Sequence, residues 1–309
     1  MLQISELKFN YKQNDGKEIR ALRGIDFSLT NGESAALVGE SGCGKTTLCN
    51  IVNLMLKDYD GSVLFDGKEL KNIDKTKDYY SKLQYIFQDP KSAVSPYQKL
   101  AYFMTAPLIN LKGMNKTQAL NLVREKLPAI GLLPEILNKR PNEVSLGQLQ
   151  RLCLLKSLLI GPKVLLCDEI TASLDEHSIK DCLTIINEYQ KTGMSVLFIT
   201  HDIELAKSFS KRIIVMFKGT ILEDTQGGQA LMHPYAQELL NASAALKRSQ
   251  LNEFSPKSAP SCPITVDSIC PYYKRCNDKT ADCLNEFPKL FKLSENHCVR
   301  CLKFKNAEI

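Results

Sequence analysis

The sequence predicts an α/β fold with a helical subdomain and a small Cys-rich C-terminal extension. Three observations carry that expectation. Short apolar runs, "ESAALVG", "LQYIFQ", "KVLLCDE" and "SVLFITH", alternate with helical patterns and are bounded by polar or Gly-rich turns, as expected of strands buried in a sheet. Residues from about 89 to 161 hold amphipathic segments such as "TQALNLVREKLPAIGLL" and no strong strand. After "HPYAQELLNASAALKRSQ", a closing helix, the Pro- and Ser-rich "NEFSPKSAPSCP" reads as a linker, and a cysteine-rich tail follows. The domains expected are thus 1–240, with the helical part at about 89–161, and 241–309 for linker and extension. One further run, "RIIVMFKGTILED", predicts two strands with a hairpin turn at Lys218-Gly219.

Composition sets bounds. At 309 residues, 44% hydrophobic and 24% charged, the chain has the make-up of a globular protein with a sizeable core. A net charge of +6 suits an anionic ligand or a membrane surface and makes no case for nucleic acid. The N-terminal stretch "MLQISELKFNYKQNDG" does not read as a signal peptide, and no apolar run approaches the ~20 residues that span a bilayer. The expected compartment is the cytoplasm, where thiols stay reduced. A cysteine cluster there reads first as a metal site and second as disulfides.

The motif "LVGESGCGKTTL" follows one strand pattern and opens the helix pattern "KTTLCNIVNLML". It fits G-x-x-x-x-G-K-[ST], a loop whose backbone N–H groups curl around phosphate at a helix N-terminus. The expected nucleotide contacts are Gly39, Ser41, Gly42, Cys43, Gly44, Lys45, Thr46 and Thr47. Lys45 would neutralise the terminal phosphates of ATP, and the Thr46 hydroxyl would ligate Mg²⁺. Cys43 and Cys49 read as small residues that fit rather than as reactive thiols. Downstream, "KVLLCDE" ends a buried strand in two carboxylates. Asp168 is expected to hold hydrated Mg²⁺, and Glu169 to polarise an attacking water.

Between and after these motifs stand "EVSLGQLQRLCLLKSLL", "ITASLD" and "FITHD". The ordered set, over residues 1 to about 240, resembles the nucleotide-binding subunit of an ATP-binding cassette (ABC) transporter. The resemblance implies a P-loop ABC-type nucleotide-binding domain, of which two copies sandwich two ATP molecules. It makes Tyr11 the aromatic that stacks on adenine. It assigns Gln88 to Mg²⁺ and the attacking water, and Ser145, Gly147 and Gln148 to the γ-phosphate of the partner's ATP. It places Asp175 in the loop that crosses between subunits and His201 on the γ-phosphate. Two positions depart from the family pattern. Leu146 stands where the signature usually has glycine, which adds bulk where backbone approaches phosphate, and Ile170 replaces the proline after the catalytic glutamate. Leu146 therefore leads to the expectation of a heterodimer, with a homologous second ATPase supplying the other half.

A narrower resemblance lies in "IFQDPKSAVSP" and in His233-Pro234-Tyr235, which are similar to oligopeptide, dipeptide and nickel importer ATPases. It implies a peripheral subunit on the cytoplasmic face of the cell membrane. Its partners would be two integral membrane permease subunits and an extracellular solute-binding protein, with peptide import first and nickel or a metal complex as the alternative. A soluble ABC ATPase with redox sensing is the further alternative. By spacing alone, the x5, x6 and x17 gaps of Cys270, Cys276, Cys283 and Cys301 leave Zn²⁺ and a [4Fe-4S] cluster both open. The resemblance of Cys270-Pro271, Cys276, Cys283 and His297-Cys298-Val299-Arg300-Cys301 to that subfamily's tail implies the cluster on those four cysteines. Cys298 is a substitute fourth ligand and Cys262 a non-ligand. The tail is poor in large aliphatics, so the metal is expected to supply much of its stability.

Overall fold

The computed structural model describes residues 2–13, 16–73, 76–171, 174–249 and 269–307. In chain order its elements are β1 (Leu2–Lys12), β2 (Glu18–Leu29), β3 (Ser34–Val38), α1 (Lys45–Val52), β4 (Asp60–Phe65), β5 (Lys68–Glu69), α2 (Lys77–Lys82), β6 (Leu83–Ile86), α3 (Leu100–Lys112), α4 (Lys116–Lys126), α5 (Leu146–Leu159), β7 (Val164–Asp168), α6 (Glu176–Gln190), β8 (Ser195–Thr200), α7 (Ile203–Phe209), β9 (Arg212–Phe217), β10 (Thr220–Thr225), α8 (Pro234–Ser249), β11 (Phe291–Ser294) and β12 (His297–Val299). Every strand and the hairpin named from the sequence are present. Strands β1, β2, β4 and β5 and the tail strands were not read from it. The helix after the phosphate loop ends at Val52, short of the run to Leu56 that the pattern suggested. The linker "NEFSPKSAPSCP", with Cys262, lies outside the described residues.

The chain divides into two compact units. The first comprises residues 1–5, 27–34 and 46–199. In it β6, β7 and β8 run parallel, with Leu83 opposite Val164 and Val164 opposite Ser195. Every residue of β7 and β8 is buried, which is why both read as unbroken apolar runs. Residues 87–163 hold no strand among those described; α3, α4 and α5 pack together there. Local chemistry sets their ends. Gly113, at φ 68°, closes α3 in the left-handed conformation, and Asn115 and Gln118 form a capping box at the start of α4.

The second unit comprises residues 6–26, 35–45 and 200–309. There β3 runs parallel to β9, and β9 turns through Lys218 and Gly219 into antiparallel β10. Both turn residues have positive φ, 44° and 77°, the geometry that two-residue hairpins favour. The tail continues this sheet: β12 pairs with β10 and β11 with β12, placing Glu223 opposite Val299 and Thr225 opposite His297. Tyr272 and Cys270 enter the apolar core formed by Val215, Phe217, Leu222 and Tyr235. Sheet pairing and core packing thus anchor the tail besides any metal.

One buried polar node joins these parts. Glu223 on β10 is fully buried. Its carboxylate accepts the N–H groups of Met232 (2.7 Å) and His233 (2.9 Å), and it is hydrogen-bonded to His297 Nε2 (2.7 Å). Burial raises the Glu223 carboxyl above its usual range, against those three donors. Replacing His297 by alanine leaves the carboxylate one donor short in a dry site. The expected loss is about 3 kcal/mol in denaturant unfolding of the purified chain. The exposed Lys303→Ala change should stay within about 0.5 kcal/mol.

Candidate functional site

The phosphate loop begins where β3 stops, and each glycine has a steric reason. A Cβ on Gly39 would meet the Met216 carbonyl oxygen at 2.1 Å. Gly44, at φ 111°, would meet the Ala21 carbonyl oxygen at 2.6 Å. Gly42 turns the chain at φ 79°. The Gly219 N–H donates to the Cys43 carbonyl at 2.8 Å, so the β9–β10 turn buttresses the loop. Lys45 is 4% exposed, and its ammonium donates to the Gly39 and Glu40 carbonyls at 2.6 and 3.0 Å. The loop's amides and this cation make an anion cradle at the N-terminus of α1. Burial pushes the Cys43 thiol up, which keeps it protonated and agrees with an unreactive packing role.

In the first unit, Thr46 donates its hydroxyl to Asp168 Oδ2 at 2.9 Å, joining the first turn of α1 to the end of β7. The Tyr85 hydroxyl donates to the same oxygen at 2.9 Å. Burial above all, with the charge of Asp168, raises the Tyr85 hydroxyl, so it remains a donor. Gln88 Nε2 donates to Glu169 Oε2 at 3.1 Å. Glu169 lies just past β7 with φ 47°, a left-handed conformation that side chains rarely adopt, and its N–H is held by the Ile199 carbonyl at 2.9 Å. Such strain is concentrated at functional positions. Four sequence-chosen residues, Thr46, Gln88, Asp168 and Glu169, therefore pair with one another. Tyr85 was missed. Its place in "LQYIFQ", three residues before Gln88, was the available signal.

The segment "EVSLGQLQ" opens α5. Ser145 is its N-cap and forms a capping box with Gln148. A Cβ on Gly147 would meet Ser178 Oγ at 3.0 Å. Leu146 is half-buried and begins the helix. Asp175 caps α6 through the Ser178 N–H and hydroxyl, which hold its carboxyl below the usual range. Ile170 is buried. In the second unit, His201 is exposed just after β8, and Asp202 caps α7. Tyr11 is exposed on β1 and packs edge-on to Phe9 at 4.9 Å.

Cys270, Cys276, Cys283 and Cys301 line one cavity of about 200 Å³, shared with His233 and Tyr272. Burial, with the neighbouring thiols adding to it, pushes Cys270 up to about 11. Burial also raises Cys276 and Cys301. Among the described residues, no three His, Cys, Asp or Glu side chains converge on a single-ion site. Cys298 does not line the cavity. It sits between His297 and Val299 on β12, and strand alternation turns it to the opposite face, opposite Asp224.

A buried strand, a Gly-Lys-Thr loop opening a helix, and an Asp-Glu pair at the end of another buried strand define a P-loop nucleotide triphosphatase. The ABC transporter family model matches residues 22–172. Oligopeptide transport ATP-binding protein OppF of Haemophilus influenzae is 30% identical over 322 residues, which cover 98% of this chain and 97% of that one. Nickel import ATP-binding protein NikE of Brucella abortus is 34% identical over 226 residues, 72% of this chain and 85% of that one. A dimeric ATP-binding cassette solved in a post-hydrolysis state with ADP and Pi superposes with a TM-score of 0.68 at 26% identity, covering 73% of this chain and 98% of that one. The chain belongs to the ABC transporter family, as one of its ATP-binding subunits, an ATPase.

Tyr85→Phe deletes one charge-assisted hydrogen bond to Asp168 while keeping the ring. The Mg²⁺ concentration for half-maximal ATPase should rise about tenfold in a magnesium titration, the worth of one hydrogen bond to a charged group. An unchanged midpoint would dismiss Tyr85 from the metal side of the site.

Proposed function

We propose that this chain hydrolyses ATP to drive uptake of a di- or oligopeptide through separate membrane subunits. It would act as a peripheral subunit on the cytoplasmic face, served by an extracellular solute-binding protein. Among the described residues no helix is long and apolar enough to cross a membrane, which fits that arrangement. The observation that carries peptide over nickel is extent: similarity to OppF runs over 98% of this chain, whereas similarity to NikE runs over 72%. Nickel import remains the second reading, favoured by the higher identity within that shorter span.

In this reading residues 1–240 are the nucleotide-binding domain and 241–309 its extension. Thr46, Asp168 and Gln88 would hold Mg²⁺, which neutralises developing phosphate charge. Lys45 and the loop amides bind the phosphates, Tyr11 carries the adenine, and His201 meets the γ-phosphate. Glu169, oriented by Gln88, takes the proton of the attacking water. Glu169→Gln should keep ATP binding and lose at least ~10²-fold in turnover in the assembled transporter. Near-normal turnover would remove Glu169 from the chemistry.

Ser145, Gly147 and Gln148 at the N-terminus of α5 serve a partner's ATP. Leu146 takes ordinary helical backbone there, so its cost falls on the phosphate it faces rather than on α5. We therefore expect a hetero-pair with a second, homologous ATPase. Native mass spectrometry of the purified complex should give one copy of this chain. Two copies hydrolysing equally at both sites defeat that expectation.

Cys270, Cys276, Cys283 and Cys301 would hold a [4Fe-4S] cluster with a structural role and no part in hydrolysis. All four line one cavity, and the likeness of their pattern to the subfamily tail favours a cluster over Zn²⁺. Anaerobic protein should be brown, absorbing broadly near roughly 400 nm. Colourless protein with stoichiometric zinc would keep the ligands and replace the cluster.

A further inference from the structure

The phosphate loop and the cysteine cavity meet at one side chain, Arg275. It precedes Cys276 in a compact turn in which the Arg275 and Cys276 N–H groups both donate to the Tyr272 carbonyl, at 3.0 and 3.1 Å. Its guanidinium reaches Glu40, the second residue of the phosphate loop, at 2.8 Å to Oε1 and 2.9 Å to Oε2. It also pairs with Glu238 on α8. Its planar group stands 5.7 Å from the Phe217 ring centre and 5.7 Å from that of Tyr272. Aromatic faces on this scale hold a guanidinium in place as well as attract it.

Glu40 is thereby fixed at three points. Its N–H donates to the Tyr235 hydroxyl at 3.0 Å, its carbonyl accepts from Lys45 Nζ at 3.0 Å, and its carboxylate meets Arg275. Lys45 is the loop's cation, and the Glu40 carbonyl is one of the two backbone oxygens that anchor its ammonium. A shift of Glu40 therefore shifts the cation that meets phosphate. Nothing in the G-x-x-x-x-G-K-[ST] pattern requires glutamate here, so the contact is a property of this chain's tail acting on this chain's loop.

We propose that Arg275 is a positioning residue for nucleotide binding: it holds Glu40, and so the entrance of the phosphate loop, in the binding-competent arrangement. Loading of the four-cysteine site, which orders the turn carrying Arg275, then sets the chain's affinity for ATP. The first statement stands on the contacts alone; the second rests on the reading of Cys270, Cys276, Cys283 and Cys301 as ligands.

The test is a double-mutant cycle on the full-length chain. Binding of a fluorescent ATP analogue is measured on the purified chain, and KM and kcat on the assembled transporter. Arg275→Ala should weaken binding about fivefold and raise KM alike, with kcat unchanged. Arg275→Lys, which keeps the charge and loses the fork, should recover part of the loss. Glu40→Ala should match Arg275→Ala, and the double variant should bind no worse than either. Unchanged affinity in Arg275→Ala, additive losses, or a fall in kcat at constant KM would overturn the proposal. In the metal arm, iron-depleted wild-type chain should show the same fivefold loss, reversed when the cluster is rebuilt anaerobically from iron and sulfide. Depletion should change nothing further in Arg275→Ala. Full affinity in depleted wild-type chain breaks the link to the cysteine site. A chain never found to contain iron or zinc sinks the ligand reading alone, and the cycle then decides Arg275 by itself.

Discussion

The approach of two backbones at Gly39 governs the site. Strand β3 is buried to its last residue, and the chain must leave it past the Met216 carbonyl with no room for a side chain. From that point the loop has few ways to go. Gly42 and Gly44 take the positive φ values that turn it back, the β9–β10 turn catches the Cys43 carbonyl, and Lys45 is drawn inward over the carbonyls at its entrance. Thr46 then arrives on the first turn of α1, facing Asp168. The chemistry follows from a steric exclusion at one residue more than from any attraction.

The phosphate loop and the carboxylate pair were legible because they need fixed residue types at fixed offsets from a strand. Gln88 and His201 were named through resemblance alone, and the structure gives Gln88 a contact to Glu169. Tyr85 was hidden for a physical reason. A tyrosine in a short apolar strand serves packing on either face, and only the position of Asp168 on β7 turns its hydroxyl into a donor to that carboxylate. The left-handed backbone of Glu169 was hidden too, since nothing in "KVLLCDE" announces positive φ at a glutamate. Strands β1 and β2 mix polar and apolar residues with irregular burial, so their pattern did not stand out as the buried runs did.

The tail shows the limit of reading by residue type. Its cysteines drew attention to ligation, and the spacing left Cys298 and Cys301 as rivals. The cavity lining separates them: Cys301 lines it, and Cys298, which alternates with the inward-facing His297 and Val299 on β12, does not. His297, noticed only as part of a pattern beside cysteines, proves to be the partner of buried Glu223. Tyr272 in the core and a hairpin on the sheet anchor the tail where large aliphatics are few.

The added hairpin has a bearing on solubility. The order β11-β12-β10-β9 leaves β10, six residues long, with its outer backbone groups paired to the tail. The edge on that side, among the described residues, is β11, which is four residues long, carries Lys292, and has an irregular register between Lys292 and Ser294. Short, charged and irregular edges resist strand-to-strand aggregation. A shortened chain lacking the hairpin would present β10 instead, a longer strand whose outer backbone groups would be open to another copy. The extension therefore also acts as a guard on the sheet, and a chain without it would be expected to self-associate.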